Sequence, residues 1–339
     1  MIRLGLFLLA VFGPTSVFSH HAFSAFYDTD NVGDIEGELI ETFWINPHAG
    51  FRIRTDDGEV WNIETAPVNR LQRLGLADAI AVGDRVTFSG AFSRLGRNEV
   101  LATNAILPNG QEVLLDPGFA NRLGLADRVT SGGGGGTDPI AVGADNEPEG
   151  IYRVWSRARG PNDQDPERTF SAVALAARNA WDPVIDDPAL RCIAPGMPVA
   201  MDTPFPMAFE QGDGRIILRI EQWDGSRSIH MDSDLDPQAQ PDSLMGYSVG
   251  RWEGRTLVVE TSNINWPYVD EFGTPKSDAF TMVERFTFSE DSRQMTWEAT
   301  SNDPMTYEGP AFLGRAGYEW VAGEEIKPYD CSLGAADGY

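Results

Sequence analysis

Residues 50–65 read "GFRIRTDDGEVWNIET". Phe51 and Ile53 alternate with Arg52 and Arg54 on one side of Asp57-Gly58, and Trp61 and Ile63 alternate with Asn62 and Glu64 on the other. Period-two alternation flanking an Asp-Gly dipeptide spells a β-hairpin. The next residues, "APVNRLQRLGL" (66–76), change to helical spacing through Val68, Leu71, Leu74 and Leu76. A strand pattern, "DIEGELIETFW" (34–44), precedes the hairpin, and two more, "DRVTFSGAFSRLG" (84–96) and "EVLATNAILPNG" (99–110), follow the helix. Three strands, a helix and two strands is the order of the OB-fold, so an OB-like five-stranded barrel is expected over residues 20–117, with a small open sandwich as the alternative.

Beyond this unit lies "SGGGGGTDPIAVGADNEPEG" (131–150), a glycine-rich run without apolar periodicity. It reads as the core of a linker spanning 118–150, with a short helix expected over 118–130. From 151 to 335 the chain is a succession of hairpins. "GRIILRIEQW" and "SRSIHMD" flank Asp224-Gly225, "YSVGRW" and "RTLVVETS" flank Glu253-Gly254, and "TMVERFTFS" and "RQMTWEATS" flank "EDS". With one helical stretch, "FSAVALAARNAW" (170–181), this describes a mainly β protein whose second half is an antiparallel meander. A lipocalin-like closed barrel would remove the sheet edges and leave a lumen for a ligand; a sandwich fits the same pattern.

The first nineteen residues, "MIRLGLFLLAVFGPTSVFS", carry Arg3, an apolar run from Leu4 to Phe12, then Pro14 and small residues. That run is too short for a bilayer-spanning helix of roughly 20 residues, and it predicts a signal peptide cut between Ser19 and His20. A periplasmic or secreted location follows, with no membrane insertion after cleavage. The two cysteines of the chain, Cys192 and Cys331, are then expected to form a disulfide. A net charge of −25 and a pI near 4.4 repel phosphate backbones and anionic lipid, which excludes nucleic acid as a partner.

Two constellations could carry chemistry. Of four histidines, His20, His21 and His48 fall close together in sequence. Cleavage would give His20 a free α-amine, which together with its imidazole and one further imidazole forms a nitrogen set suited to copper(II). The second lies in the meander. A two-residue turn at Asp224-Gly225 would pair Glu221 with Ser228 and Arg219 with His230 on one face, opposite Leu218 and Ile220. If that face lines a cavity, His230 could act as general acid/base beside Arg219 and Glu221, with Asp232 and Glu284 as further carboxylates. No Gly-x-Ser-x-Gly elbow is present.

Through "HHAFSAFYD", "WINPHAG", "IETAPVNRLQRLGL" and "VGDRVTFSG", residues 20–115 resemble a family of exported bacterial domains of unknown function that begin with His-His-Ser/Ala-Phe and carry Asn-Pro-His. The resemblance maps the family's repeated histidines onto His20, His21 and His48. Residues 185–312 resemble a second uncharacterised bacterial group through "RCIAPGMP", "GYSVGRWEGRTLVVETSNIN", "VERFTF" and "DPMTYEGP". Here Arg255 replaces the group's usual Asp, and "DSDLD" follows His230-Met231 where the group continues Asp-Gly-Arg. The leading expectation is an exported two-domain β protein that binds a small, partly apolar molecule in its second half. An enzyme of the hydrolase, lyase or isomerase type using His230, and a copper-binding protein using the mature N-terminal histidine, are the alternatives.

Overall fold

The computed structural model describes residues 26–129, 150–158, 168–183, 185–231 and 235–332. The strands of the first half are β1 (Tyr27–Phe43), β2 (Gly50–Arg54), β3 (Val60–Glu64), β4 (Arg85–Ser93), β5 (Glu99–Ile106) and β6 (Glu112–Leu114). β1 is long enough to pair with β2 through its second half and with β4 through its first. Breaks in register at Leu39/Glu41 and Asp28/Val32 let it bend between the two partners. A parallel pairing of β3 with β5 closes the ring β1-β2-β3-β5-β4. This is the expected OB-like barrel, with β6 added as a hairpin extension of β5.

Two short helices, α1 (Val68–Arg73) and α2 (Leu76–Ala79), fill the gap between β3 and β4. They bury Val68, Leu71 and Leu76 against Phe51, Ile53, Ile63 and Phe88 of the barrel core. At Gly90 a Cβ would lie 1.9 Å from the Leu101 carbonyl oxygen, so only glycine allows β4 and β5 to approach at their register shift. After β6, α3 (Pro117–Leu123) is capped by Asp116, whose side chain accepts from Phe119 N–H, and it buries Ala120. Residues 130–149, most of the expected linker, lie outside the described residues.

The second half closes into a barrel of nine strands: β7 (Val154–Ala158), β8 (Met207–Gln211), β9 (Arg215–Ile220), β10 (Gly225–Met231), β11 (Tyr247–Glu253), β12 (Thr256–Ser262), β13 (Thr281–Phe288), β14 (Gln294–Asn302) and β15 (Ala311–Glu319). A helix, α4 (Ala172–Ala180), lies between β7 and β8. The meander departs from a lipocalin-like one at a single joint, because β10 and β11 run parallel. A parallel pair needs a long crossover, and the connection from Met231 to Tyr247 supplies it. The inward positions are occupied: Trp155, Phe209, Leu218, Ile229, Leu257 and Phe286 are all buried in one apolar cluster. The lumen expected to hold a ligand is therefore packed with side chains.

The two barrels meet on a carboxylate. Glu221, fully buried, accepts from both terminal nitrogens of Arg73 in α1, at 2.7 and 2.6 Å, and from Asn69 Nδ2 at 3.0 Å. It also accepts the Lys327 N–H at 2.9 Å from the segment that follows β15. Arg73 in turn reaches Glu324 Oε1 at 2.9 Å. That segment ends at Cys331, which is bonded to Cys192 as expected. In the chain-entropy picture, closing so long a loop stabilises the fold by about 4–5 kcal/mol.

Glu221→Ala would leave the Arg73 guanidinium, which is only 17% exposed, with Glu324 as its one remaining carboxylate partner at the junction. A loss of about 1–3 kcal/mol in chemical denaturation is expected, because the hydrogen bonds from Arg73, Asn69 and the Lys327 N–H lose their acceptor. The double variant Glu221→Met/Arg73→Met should recover part of that loss. A single variant as stable as the parent would show that the pair contributes nothing.

Candidate functional site

His48 sits in the loop between β1 and β2, just ahead of a ladder that continues past the strand ends through Ala49 N–H to Ala66 O and Thr65 N–H to Ala49 O. Gly50 pairs with Glu64, the last residue of β3, so the His48 ring is carried to the Glu64 carboxylate. Nδ1 of His48 lies 2.7 Å from Glu64 Oε1, and the Tyr27 hydroxyl, from the first residue of β1, donates to Oε2 at 2.7 Å. His48 and Tyr27 thus share the one carboxylate of Glu64. Burial on its own would raise the Glu64 pKa; the hydrogen bond and charge of His48 and the Tyr27 hydroxyl outweigh it and hold the group below its ordinary value.

In the neutral ring, a proton on Nδ1 directed at a carboxylate puts the lone pair on Nε2 and fixes the ring's orientation. Carboxylate–histidine pairs of this kind position metal-binding imidazoles. Among the described residues, no group of three or more His, Cys, Asp or Glu side chains forms a metal cluster. His20 and His21 lie outside the described residues. The described chain enters β1 at Tyr27, whose hydroxyl is itself on Glu64.

The second expected constellation is not assembled. Instead of a two-residue turn, Glu221 to Asp224 form a short 3-10 turn in which Trp223 and Asp224 take positive φ angles of 61° and 50°. Trp223 packs on Tyr329 with ring centroids 5.0 Å apart. The hairpin register moves by four residues, so Ser226 pairs with Arg219 and His230 with Arg215. The reason is Glu221: it is drawn into the junction with the first barrel and cannot continue the ladder. Arg219 is exposed, 3.6 Å from Glu210 at the surface. Glu284 points into the barrel, where it pairs with Arg227 at 2.6 Å and accepts from Trp297 Nε1 at 2.9 Å. His230 lies on the outer face, stacked on Tyr247 with centroids 4.8 Å apart. Asp232 lies outside the described residues.

His230 nevertheless borders an open recess of about 440 Å³, lined also by Ser226, Ser228, Leu244 and Met245. It occurs where the barrel wall parts. β10 pairs with β9 from Gly225 to His230, but among the described residues its ladder with β11 covers only Ile229–Met231.

Tyr27, Glu64 and Asn69 were not singled out by sequence reading. For Glu64 the turn signal misleads by one residue: a two-residue Asp57-Gly58 turn would put Phe51 opposite Glu64, whereas Gly50 stands there. Residues 9–102 match a family of unknown function, DUF6152. The matched span contains His20, His21, His48 and Glu64; it ends within β5 and gives no support to the resemblance read over 185–312. No curated protein matches the chain.

The sign of the Glu64 shift predicts an acid limb. Its carboxylate is held below the ordinary 4.5, so its stabilisation is fully present above about pH 4.5 and is lost as pH falls through the lower, folded value. The stability gap between the parent and Glu64→Gln, measured by urea denaturation from about pH 5 to pH 3, should shrink as pH falls below 4.5. A gap independent of pH would rule out the His48–Glu64 pairing as its source.

Proposed function

We propose that the protein is exported to the periplasm or beyond and binds copper(II) at a site built on His48, with His20 and His21 of the N-terminal arm supplying further nitrogens. The observation that carries this reading is the Tyr27–Glu64–His48 arrangement, in which a carboxylate orients an imidazole beside the point where the arm enters the barrel. Nitrogen donors suit copper(II), and an N-terminal histidine adds its α-amine to the set. The Cys192–Cys331 disulfide supports export, since such bonds persist in oxidising compartments.

Calorimetry of the mature chain beginning at His20 tests the proposal. One copper(II) ion should bind; His48→Ala should abolish tight uptake, and Glu64→Gln should weaken it about 10–100-fold through the lost orientation. Folded mature protein that takes up no copper would end this reading.

A second reading, small-molecule binding by the second barrel, is supported by the recess beside His230, whose size and mixture of hydroxyl, imidazole and apolar groups suit a small, partly apolar ligand. Native mass spectrometry of protein expressed in an exporting host should then show a retained small molecule that Met245→Trp, filling the recess, displaces. Equal retention by parent and variant would place the ligand elsewhere, and no retained mass in the parent would count against the reading.

A further inference from the structure

Asn46 stands two residues before His48 and is buried, 3% exposed. Its side chain is fully engaged. Oδ1 accepts the Val68 N–H at 3.0 Å at the start of α1, and Nδ2 donates to Asn69 Oδ1 at 2.9 Å and to the Tyr329 carbonyl. Its backbone pairs with Cys331, and its carbonyl accepts the Ser332 N–H at 3.1 Å. Two of the contacts that hold this loop therefore come from residues 329–332, at the far end of the chain.

That tail has no helix or strand of its own from 321 to 330. It is held by Glu221 on Lys327 N–H, by Asp224 on Tyr329 N–H at 3.1 Å, by the Tyr329 ring against Phe205 and Trp223, and by the bond from Cys331 to Cys192. Of these only the disulfide is covalent, and it sits beside Asn46. Cys192 ends the 3-10 turn Pro188–Arg191 of the second half, so the bond ties the His48 loop of the first barrel to the second.

We infer that Asn46 and the Cys192–Cys331 disulfide are positioning elements for His48: the bonded tail fixes the loop that presents the imidazole to Glu64, so that the state of the disulfide sets the metal affinity of the first barrel. The consequence for metal rests on the copper reading above; the positioning of His48 does not. Reduction by a dithiol, which takes the two sulfurs to thiols and is itself oxidised to a disulfide, removes the one covalent tie on the tail and releases its end at Cys331 and Ser332. Asn46 then loses its backbone pairing with Cys331 and the Ser332 N–H, and the loop that orients His48 loosens.

The test compares the full mature chain with Cys192→Ser/Cys331→Ser and with Ser332→Pro, which removes one N–H donated to Asn46 and leaves the disulfide intact. In metal-free protein, nitrogen-15 spectra of the His48 ring should show a single Nδ1–H tautomer in the parent, a tautomer mixture in the double variant, and a smaller change of the same kind in Ser332→Pro. Copper(II) affinity should fall about tenfold in the double variant, with a changed copper paramagnetic-resonance spectrum. Unchanged His48 spectra in both variants would overturn the positioning role. Moved ring spectra with parental copper affinity would overturn the link to metal, and moved ring spectra in a parent that binds no copper would leave the positioning intact and remove the copper reading alone. If the double variant does not fold, unchanged ring spectra in Ser332→Pro overturn the inference.

Discussion

The Glu221 carboxylate, taken out of water and surrounded by donors from two other segments, is the constraint on which the arrangement of the molecule depends. Desolvating a charge costs several kcal/mol unless good partners replace water. Here the Arg73 fork, Asn69 and the Lys327 N–H replace it together, and none of them belongs to the β9–β10 corner that carries Glu221. Satisfying one buried charge thus requires α1 of the first barrel, the β9–β10 corner of the second and the tail to be in place at once. The same demand distorts the corner. The turn that Asp224-Gly225 would form by itself is lost, and Trp223 and Asp224 take up left-handed backbone instead.

Closure of both sheets decides where chemistry can occur. A closed wall removes unpaired edges, and in the second barrel the interior is then filled to the point that even its charged pair, Arg227 with Glu284, is sealed by Trp297 and Met197. Groups on the inner and outer faces of such a wall cannot cooperate, which separates Glu284 from His230. What remains accessible lies at exceptions to regularity: the loop around His48, where the hairpin begins, and the seam where β10 and β11 part. Both are places where a ladder stops, and an imidazole at each stays partly exposed.

Much of the fold was legible because it rests on local signals. Alternation around Asp57-Gly58, the change of period at Val68 and the succession of turns in the second half each report on a few neighbouring residues, and the barrels follow their order. The parallel β10–β11 joint was not legible, since a long connection without periodicity says nothing about the direction of return. Of the candidate site, His48 was visible as a rare residue in a turn motif. Glu64 was hidden by a one-residue difference in hairpin register, and Tyr27 because its role depends on where β1 begins relative to β3.

By itself the sequence determined the β character, the order of strands about the first helix and the pairing of the only two cysteines, because period, turn chemistry and a count of two admit few solutions. The tertiary structure alone decided which charge meets which. Glu221 finds Arg73 across 148 residues, and Glu284 finds Arg227 across 57. Such pairings depend on the placement of whole elements relative to one another. No short window of sequence contains both partners, and the energy that selects them, the cost of burying a charge alone, appears only once the surrounding surfaces have closed.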